Sequence, residues 1–221
     1  MSKIIFDVGA NDGTVFREAA RQGHVVHAFE PTPKFAKQIR SWVSEQGLSS
    51  FIFVEAAVST SEGMMKFNIS AGGDGGCSSL KEYTDNICEI WSGRPDFKVT
   101  EVIDVPVIRM DAYVSKNNIE RIDYLHIDTQ GSDLDVLKSF GDELHRVVEG
   151  VVEVPNTMTL YKCVPSKQET IDWLIRQGFQ IVSIENDGYA GEEQNIYFRN
   201  KSYGEVNSTW IKSGDTGYRY R

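Results

Sequence analysis

The chain has 221 residues, 40% hydrophobic and 25% charged, the make-up of a globular α/β domain with a core of its own. Asp and Glu (32) outnumber Lys and Arg (23), and the formal charge of −9 argues against nucleic-acid phosphates or an anionic membrane surface as the main partner. No run approaches the ~18 apolar residues of a membrane span, no signal-peptide pattern opens the chain, and Cys77, Cys88 and Cys163 form no CxxC pair, so a reducing, cytoplasmic setting is expected.

In chain order, "KIIFDV" (3–8) reads as a buried strand running into a glycine loop. "TVFREAARQ" (14–22) has helical spacing and is closed by Gly23, and "HVVHAFE" (24–30) is the next strand. Pro33 opens a helix in which Phe35, Ile39 and Val43 recur every four residues until Gly47. "FIFVEAAVS" (51–59) is a third strand, and this β-α-β-α-β run predicts a parallel, doubly wound sheet. "MMKFNIS" (64–70) reads as an edge or hairpin strand and 71–76 as a loop; 77–98 is an irregular insertion with one short helix at most. "VTEVIDVPVI" (99–108) is a strand that Pro106 assigns to an edge.

The alternation then resumes, with strands at 122–128, 146–154 and 178–184 and helices at 132–140, capped by Ser132, and 166–177. A last strand at 194–200 lies close enough to form a hairpin with the one before it. One domain over 1–200 is expected, followed by a polar extension over 201–221.

Ligands of such sheets bind beyond the carboxyl ends of the strands, where "DVGANDG" (7–13) falls. A nicotinamide fingerprint needs glycines at its first, third and sixth positions; counted from Gly9 these are Gly9, Asn11 and Thr14. Asp7 and Asp12 would also repel a diphosphate. A cationic ligand reverses that sign, and S-adenosylmethionine, with a sulfonium and an ammonium and no phosphate, suits the loop. Glu30 ends the second strand, where an acid accepts ribose hydroxyls, and Pro31 then turns the chain away. Ala57, Val58 and Ser59 are small enough to leave room for an adenine.

"HIDTQGSDLDVL" (126–137) supplies a second acidic cluster. Asp128 faces the crevice shared by Gly9 and Glu30, whereas Asp133 suits a helix start better than a ligand. Glu153 ends a strand on the same edge, and Asn156 and Tyr161 either line an acceptor pocket or fill a loop. His126 reads as a core histidine. Asp128, Asp133 and Glu153 offer a divalent metal ion a harbour, which is not the favoured reading.

The ordered set "FDVGANDGTVF", "HAFEPTPKFAKQI", "VEAAVSTSEGMMKFNIS", "CSSL", "VIRMDAYV", "IDYLHIDTQGSDLDVLKSF" and "GVVEVPNTMTLY" resembles the FkbM family of S-adenosylmethionine-dependent methyltransferases from about residue 3 to about 199. The resemblance implies a class I methyltransferase (Rossmann-like) doubly wound, mostly parallel sheet with an antiparallel C-terminal hairpin strand. It also implies methyl transfer to a hydroxyl of a sugar, glycan or other small molecule. By position, Gly9, Asn11, Asp12 and Gly13 would hold the methionine end of the cofactor, Glu30 the ribose, and Ser59 would lie near the adenine. Ser79 matches the family's "SSL" serine. The family's later motif is close to "IDVEGxE"; here Asp128 is kept, Gln130 stands for the first Glu and Asp133 for the last. Removal of an alcohol's proton needs a base; Asp128 is the first candidate and Glu153 the second, with His126 and His145 behind. Two other readings are a non-catalytic cofactor-binding module on the same fold and a nucleotide-cofactor oxidoreductase.

Overall fold

A computed structural model describes residues 2–71, 75–87, 97–156, 160–187, 193–204, 210–212 and 218–220. Cys88 and part of the 77–98 insertion lie outside the described residues. The first half alternates as expected: β1 (Ile4–Val8), α1 (Arg17–Arg21), β2 (Val25–Phe29), α2 (Pro33–Gln46) and β3 (Phe51–Val54). Three strands of a second sheet follow, β4 (Ala57–Val58), β5 (Gly63–Ser70) and β6 (Val99–Ile108). The second half runs α3 (Met110–Lys116), β7 (Tyr124–Ile127), α4 (Asp133–Ser139), β8 (Glu149–Pro155), α5 (Lys167–Arg176), β9 (Phe179–Asp187) and β10 (Glu193–Asn200). Two further short strands, β11 (Trp210–Lys212) and β12 (Tyr218–Tyr220), pair antiparallel in the C-terminal stretch.

The main sheet has the order β3-β2-β1-β7-β8-β10-β9. Its first five strands are parallel, and β10 runs antiparallel between β8 and β9. From β1 the chain builds outward to β2 and β3, then returns to the other flank with β7. The strand order therefore reverses between β1 and β7, and their carboxyl ends open a crevice. Strand alternation sends Phe6 and Val8 into one core layer, with Leu125, Ile127, Met110 and Leu137. Ile5 goes to the other layer, with Val26, Ala28, Phe16 and Ile39.

Several elements differ from the sequence reading for local reasons. The third strand is interrupted: the Ala56 N–H donates to the Val54 carbonyl at 2.9 Å, and this tight turn carries Ala57–Val58 off the main sheet to pair with β6. β6 is not an edge strand, since it lies between β4 and β5. Pro106 is tolerated there because two-residue β4 reaches only Val107 and Ile108. α1 starts at Arg17 because the Asp12 carboxylate accepts from the Thr14 N–H (3.0 Å) and hydroxyl (2.7 Å), holding that stretch in a turn. Helix α3 went unread, although buried Met110 and Val114 have the i, i+4 spacing of a helix face.

The tip of β1 is stitched to both neighbours. Gly9 and Ala10 each donate an N–H to the Phe29 carbonyl at 3.0 Å, and the Asp128 N–H donates to the Val8 carbonyl at 3.0 Å. Gly9 has φ +87°, and a Cβ built on it would overlap the Asp128 carbonyl oxygen, a backbone atom that cannot move aside. Gly23 has a similar φ of +85° but open space around it. Gly9→Ala is therefore expected to lower the unfolding free energy by well over the ~1–2 kcal/mol of a left-handed alanine, and Gly23→Ala by about that much. Equal losses for the two variants in urea unfolding would count against a steric role for Gly9.

Candidate active site

Above the β1/β7 reversal lies a cleft of about 580 Å3, partly open to solvent, bounded by the 7–13 loop, the start of α2, the β4 strand, residues 75–80 and the turn after β7. Of the residues singled out in the sequence, Gly9, Asn11, Glu30, Pro31, Ala57, Val58 and Asp128 line it together. Phe35, Phe67 and Leu80 add apolar wall, and their burial gave no sequence signal that would separate them from core residues. Glu30 and Asp128 are the charged side chains of this lining, and both are acids.

Other expected ligands serve the loops instead. Asp7 is fully buried; its Oδ1 lies 2.8 Å from His126 Nδ1, while its Oδ2 has no partner among the described residues. Asp12 is spent on Thr14. Gly13 packs against Ile39 of α2. The Ser59 N–H donates to the Ile108 carbonyl at 3.1 Å, and the residue is not part of the lining. Ser79 is 1% exposed; its hydroxyl donates to the Gln130 carbonyl at 2.6 Å, and its neighbour Ser78 reaches the cleft. His145 is exposed and bonds the Asp142 carbonyl, away from the cleft. Asn156 accepts from Lys167 Nζ at 3.0 Å.

Glu30 is held by two backbone donors. Asn11 N–H reaches Oε2 at 3.1 Å and Thr32 N–H reaches Oε1 at 2.8 Å. Asn11 adopts φ +51°, which turns its N–H to the carboxylate. Burial pushes the Glu30 carboxyl up to about 7, and the negative charge of Asp7 adds to the rise against the pull of the N–H donors.

The turn after β7 carries two consecutive left-handed residues, Gln130 (φ +56°) and Gly131 (φ +95°). Asp133 holds it from the helix side, accepting from Thr129 N–H (2.7 Å), Thr129 hydroxyl (3.0 Å) and Gly131 N–H (2.9 Å). Burial raises the Asp133 carboxyl to about 6. Ser132, expected as the cap of α4, makes no cap bond. Its hydroxyl is buried without a partner among the described residues, on the wall of the cleft.

The Gln130 amide is the feature the sequence reading missed. Its Nε2 donates to Asp128 Oδ1 at 2.8 Å and to Glu153 Oε2 at 3.0 Å, and its Oε1 accepts from the Tyr161 hydroxyl at 2.8 Å. Glu153 does not line the main cleft; it borders a smaller cavity of about 290 Å3 with Tyr161 and Glu193. Burial, and then the charge of Asp128, hold the Glu153 carboxyl well above the usual range. Among the described residues no group of three or more His, Cys, Asp or Glu is placed to hold a metal ion. No helix of the described residues is long and apolar enough to cross a membrane.

The strand order with its reversed final strand, and a glycine loop over the point of reversal, define a class I methyltransferase fold. Solved structures agree. The fold is similar to M. capricolum TrmK in complex with S-adenosyl-homocysteine, at 11% identity and a TM-score of 0.51 over 90% of this chain and 62% of that one. It is also similar to Streptococcus pneumoniae Sp1610 in complex with S-adenosyl-L-methionine, at 13% identity and a TM-score of 0.52 over 95% of this chain and 71% of that one. Residues 7–181 match the methyltransferase FkbM domain, and the chain belongs to that family of S-adenosylmethionine-dependent methyltransferases. A curated relative, the 2-O-methyltransferase NoeI of Sinorhizobium fredii, is 28% identical over 142 residues, which cover 61% of this chain and 56% of the relative. The chain thus spans little more than half the length of that relative.

The residues present fit the family's cofactor. A buried hydroxyl at Ser132 without a partner among the described residues, an acid at the end of β2, small side chains on β4 and a lining whose two charged side chains are both acids suit an uncharged adenosine joined to a cationic tail. Glu30 is placed to take ribose hydroxyls, which donate to the ionised carboxylate. The sign is explicit: a carboxyl raised to about 7 binds its proton in the folded chain more tightly than in the unfolded one, so its contribution to stability is lost as pH rises through 7. Ligand binding draws the opposite way, since it needs the anion. S-adenosylhomocysteine is expected to bind roughly tenfold more weakly at pH 6 than at pH 8, and Glu30→Gln to flatten that slope. A pH-independent Kd in the parent, read by calorimetry, contradicts this role.

Proposed function

We propose that this protein transfers the methyl group of S-adenosylmethionine to a hydroxyl oxygen of a sugar, a glycan or another small molecule. The observation that carries the reading is that Asp128 and Glu30, from strands on opposite sides of β1, line one cleft with the Gly9 loop. The NoeI relative, a 2-O-methyltransferase, supports transfer to oxygen.

When bound, the cofactor supplies a methyl carbon already activated by its sulfonium. What the chain must do is position, exclude water and accept a proton. Glu30 holds the ribose, and the first loop borders the methionine end. Asp128, at the lining of the cleft, is the group placed to take the hydroxyl proton of the acceptor. Glu153, behind Gln130, has no such access and supports Asp128 from the second cavity. Ser78, Leu80 and the two glycines before them close one side of the cleft and shape what enters.

A labelled-methyl screen against sugars, glycan fragments and small polyols tests this reading, with Asp128→Ala as the control. Asp128→Ala is expected to keep S-adenosylhomocysteine binding within about threefold and to lose about 10²–10⁴ in transfer rate. No binding by the parent at high micromolar ligand removes the cofactor assignment. Binding with no turnover on any hydroxyl favours a non-catalytic module, and equal rates for parent and variant remove Asp128 as the base.

A further inference from the structure

We propose that Gln130 is a positioning residue that acts through Asp128. Its side-chain amide, anchored at the far end by Tyr161, bridges the Asp128 and Glu153 carboxyl groups and fixes the direction of the Asp128 carboxylate at the cleft. The inference rests on the functional reading above and deepens it.

The geometry is specific. A primary amide has two N–H donors and one carbonyl. Here the donors go to two different carboxylates, at 2.8 and 3.0 Å, and the carbonyl accepts the Tyr161 hydroxyl at 2.8 Å. The orientation of the amide follows from the two carboxyl groups, which would face its oxygen if it were reversed; the Tyr161 hydroxyl can donate to the Gln130 oxygen or to the Cys77 carbonyl. The backbone accepts a left-handed φ of +56° at a residue with a Cβ to put the amide there, and the Ser79 hydroxyl bonds the carbonyl of the same residue at 2.6 Å.

The groups facing this amide are acidic or neutral from every side. Asp128 and Asp133 come from the turn and α4, Glu153 from β8 and Glu193 from β10. Tyr161, Tyr83 and Cys77 come from the loops packed on it. No Lys or Arg ion pair to Asp128 or Glu153 occurs among the described residues. Two carboxyls that meet without a cation between them are held in register by shared hydrogen bonds, and the Gln130 nitrogen supplies them. Glu153 also hydrogen-bonds the Asp128 side chain directly, so without the amide that contact alone sets the direction of the carboxylate and draws it away from the cleft.

The test uses the charge of the donor as its probe. S-adenosylmethionine and S-adenosylhomocysteine differ by one methyl and one positive charge at sulfur, so the ratio of their Kd values reports a directed carboxylate nearby. Calorimetry on the full chain with both ligands is compared for the parent, Gln130→Met, Asp128→Asn and the double variant. Gln130→Met and Asp128→Asn are each expected to shift the ratio about three- to tenfold against the charged ligand. In the Asp128→Asn background Gln130→Met should add no further shift, because it acts through the same carboxylate. A merely structural role would weaken both ligands equally and leave the ratio where it was. Tyr161→Phe, which frees the other end of the amide, should move the ratio in the same direction by a smaller factor, and it carries the test if Gln130→Met does not fold. An unchanged ratio in the Gln130 or Tyr161 variant, an unchanged ratio in Asp128→Asn, or additive shifts in the double variant each overturn the proposal. Failure of the parent to bind either ligand refutes the functional reading instead.

Discussion

The structure depends on one close approach, that of the Gly9 backbone to the Asp128 carbonyl. β1 is the strand from which the sheet grows in both directions, so its tip must touch two neighbours whose following chains diverge. Backbone bonds fasten the tip to both: Gly9 and Ala10 to Phe29, and Val8 to Asp128. Any side chain at residue 9 would force β1 and β7 apart. With hydrogen in its place, the ends of β2 and β7 stay on the same crevice, and with them Glu30 and Asp128. The site is thus a consequence of sheet topology and one missing Cβ.

A second regularity concerns how the acids are satisfied. Glu30 takes two backbone N–H groups, Asp133 two N–H groups and a hydroxyl, and Asp128 and Glu153 share one amide. None of the four has a Lys or Arg ion pair among the described residues. Dipolar donors steady a carboxylate without cancelling its charge, whereas an arginine would do both. Burial then holds Glu30, Asp133 and Glu153 toward their protonated forms, so the walls stay ordered and the charge of the cleft depends on pH.

The framework was legible in the sequence because it rests on short-range pattern. Apolar runs ended by glycine or proline placed β1, β2 and α2, and the spacing of the last two strands placed the hairpin. The broken third strand was not, since Ala56 and Ala57 carry no turn signal and the kink is made by one backbone hydrogen bond. At the site, the acids at strand ends were readable from position, but which polar groups face the cleft was not. Asp12 and Ser79 look like ligands in a motif and are consumed by Thr14 and by the Gln130 carbonyl. Asp133, read as a helix-start residue, does hold the turn, while Ser132, read as the cap, turns its hydroxyl to no partner among the described residues. Neighbouring residues exchange these roles through a single torsion, which periodicity does not encode. Gln130 was read only as a departure from a family pattern, because its meaning lies in partners 23 and 31 residues away.

The turn of residues 128–133 also ties two loops to the carboxylate at the cleft. Four parts of the chain meet on it: β7 through its own continuation, α4 through Asp133, the 75–87 segment through Ser79, and the 160–163 stretch through Tyr161. The last two are further joined by the Tyr83–Tyr161 bridge, whose rings stack at 5.3 Å. Changes in the 75–87 segment at the cleft, or in the 160–163 stretch at the smaller cavity, are felt at the turn through bonds of ordinary strength, not through the sheet. The loop beside the cleft and the turn that carries Asp128 are then parts of one hydrogen-bonded unit, and neither can be varied independently of the other.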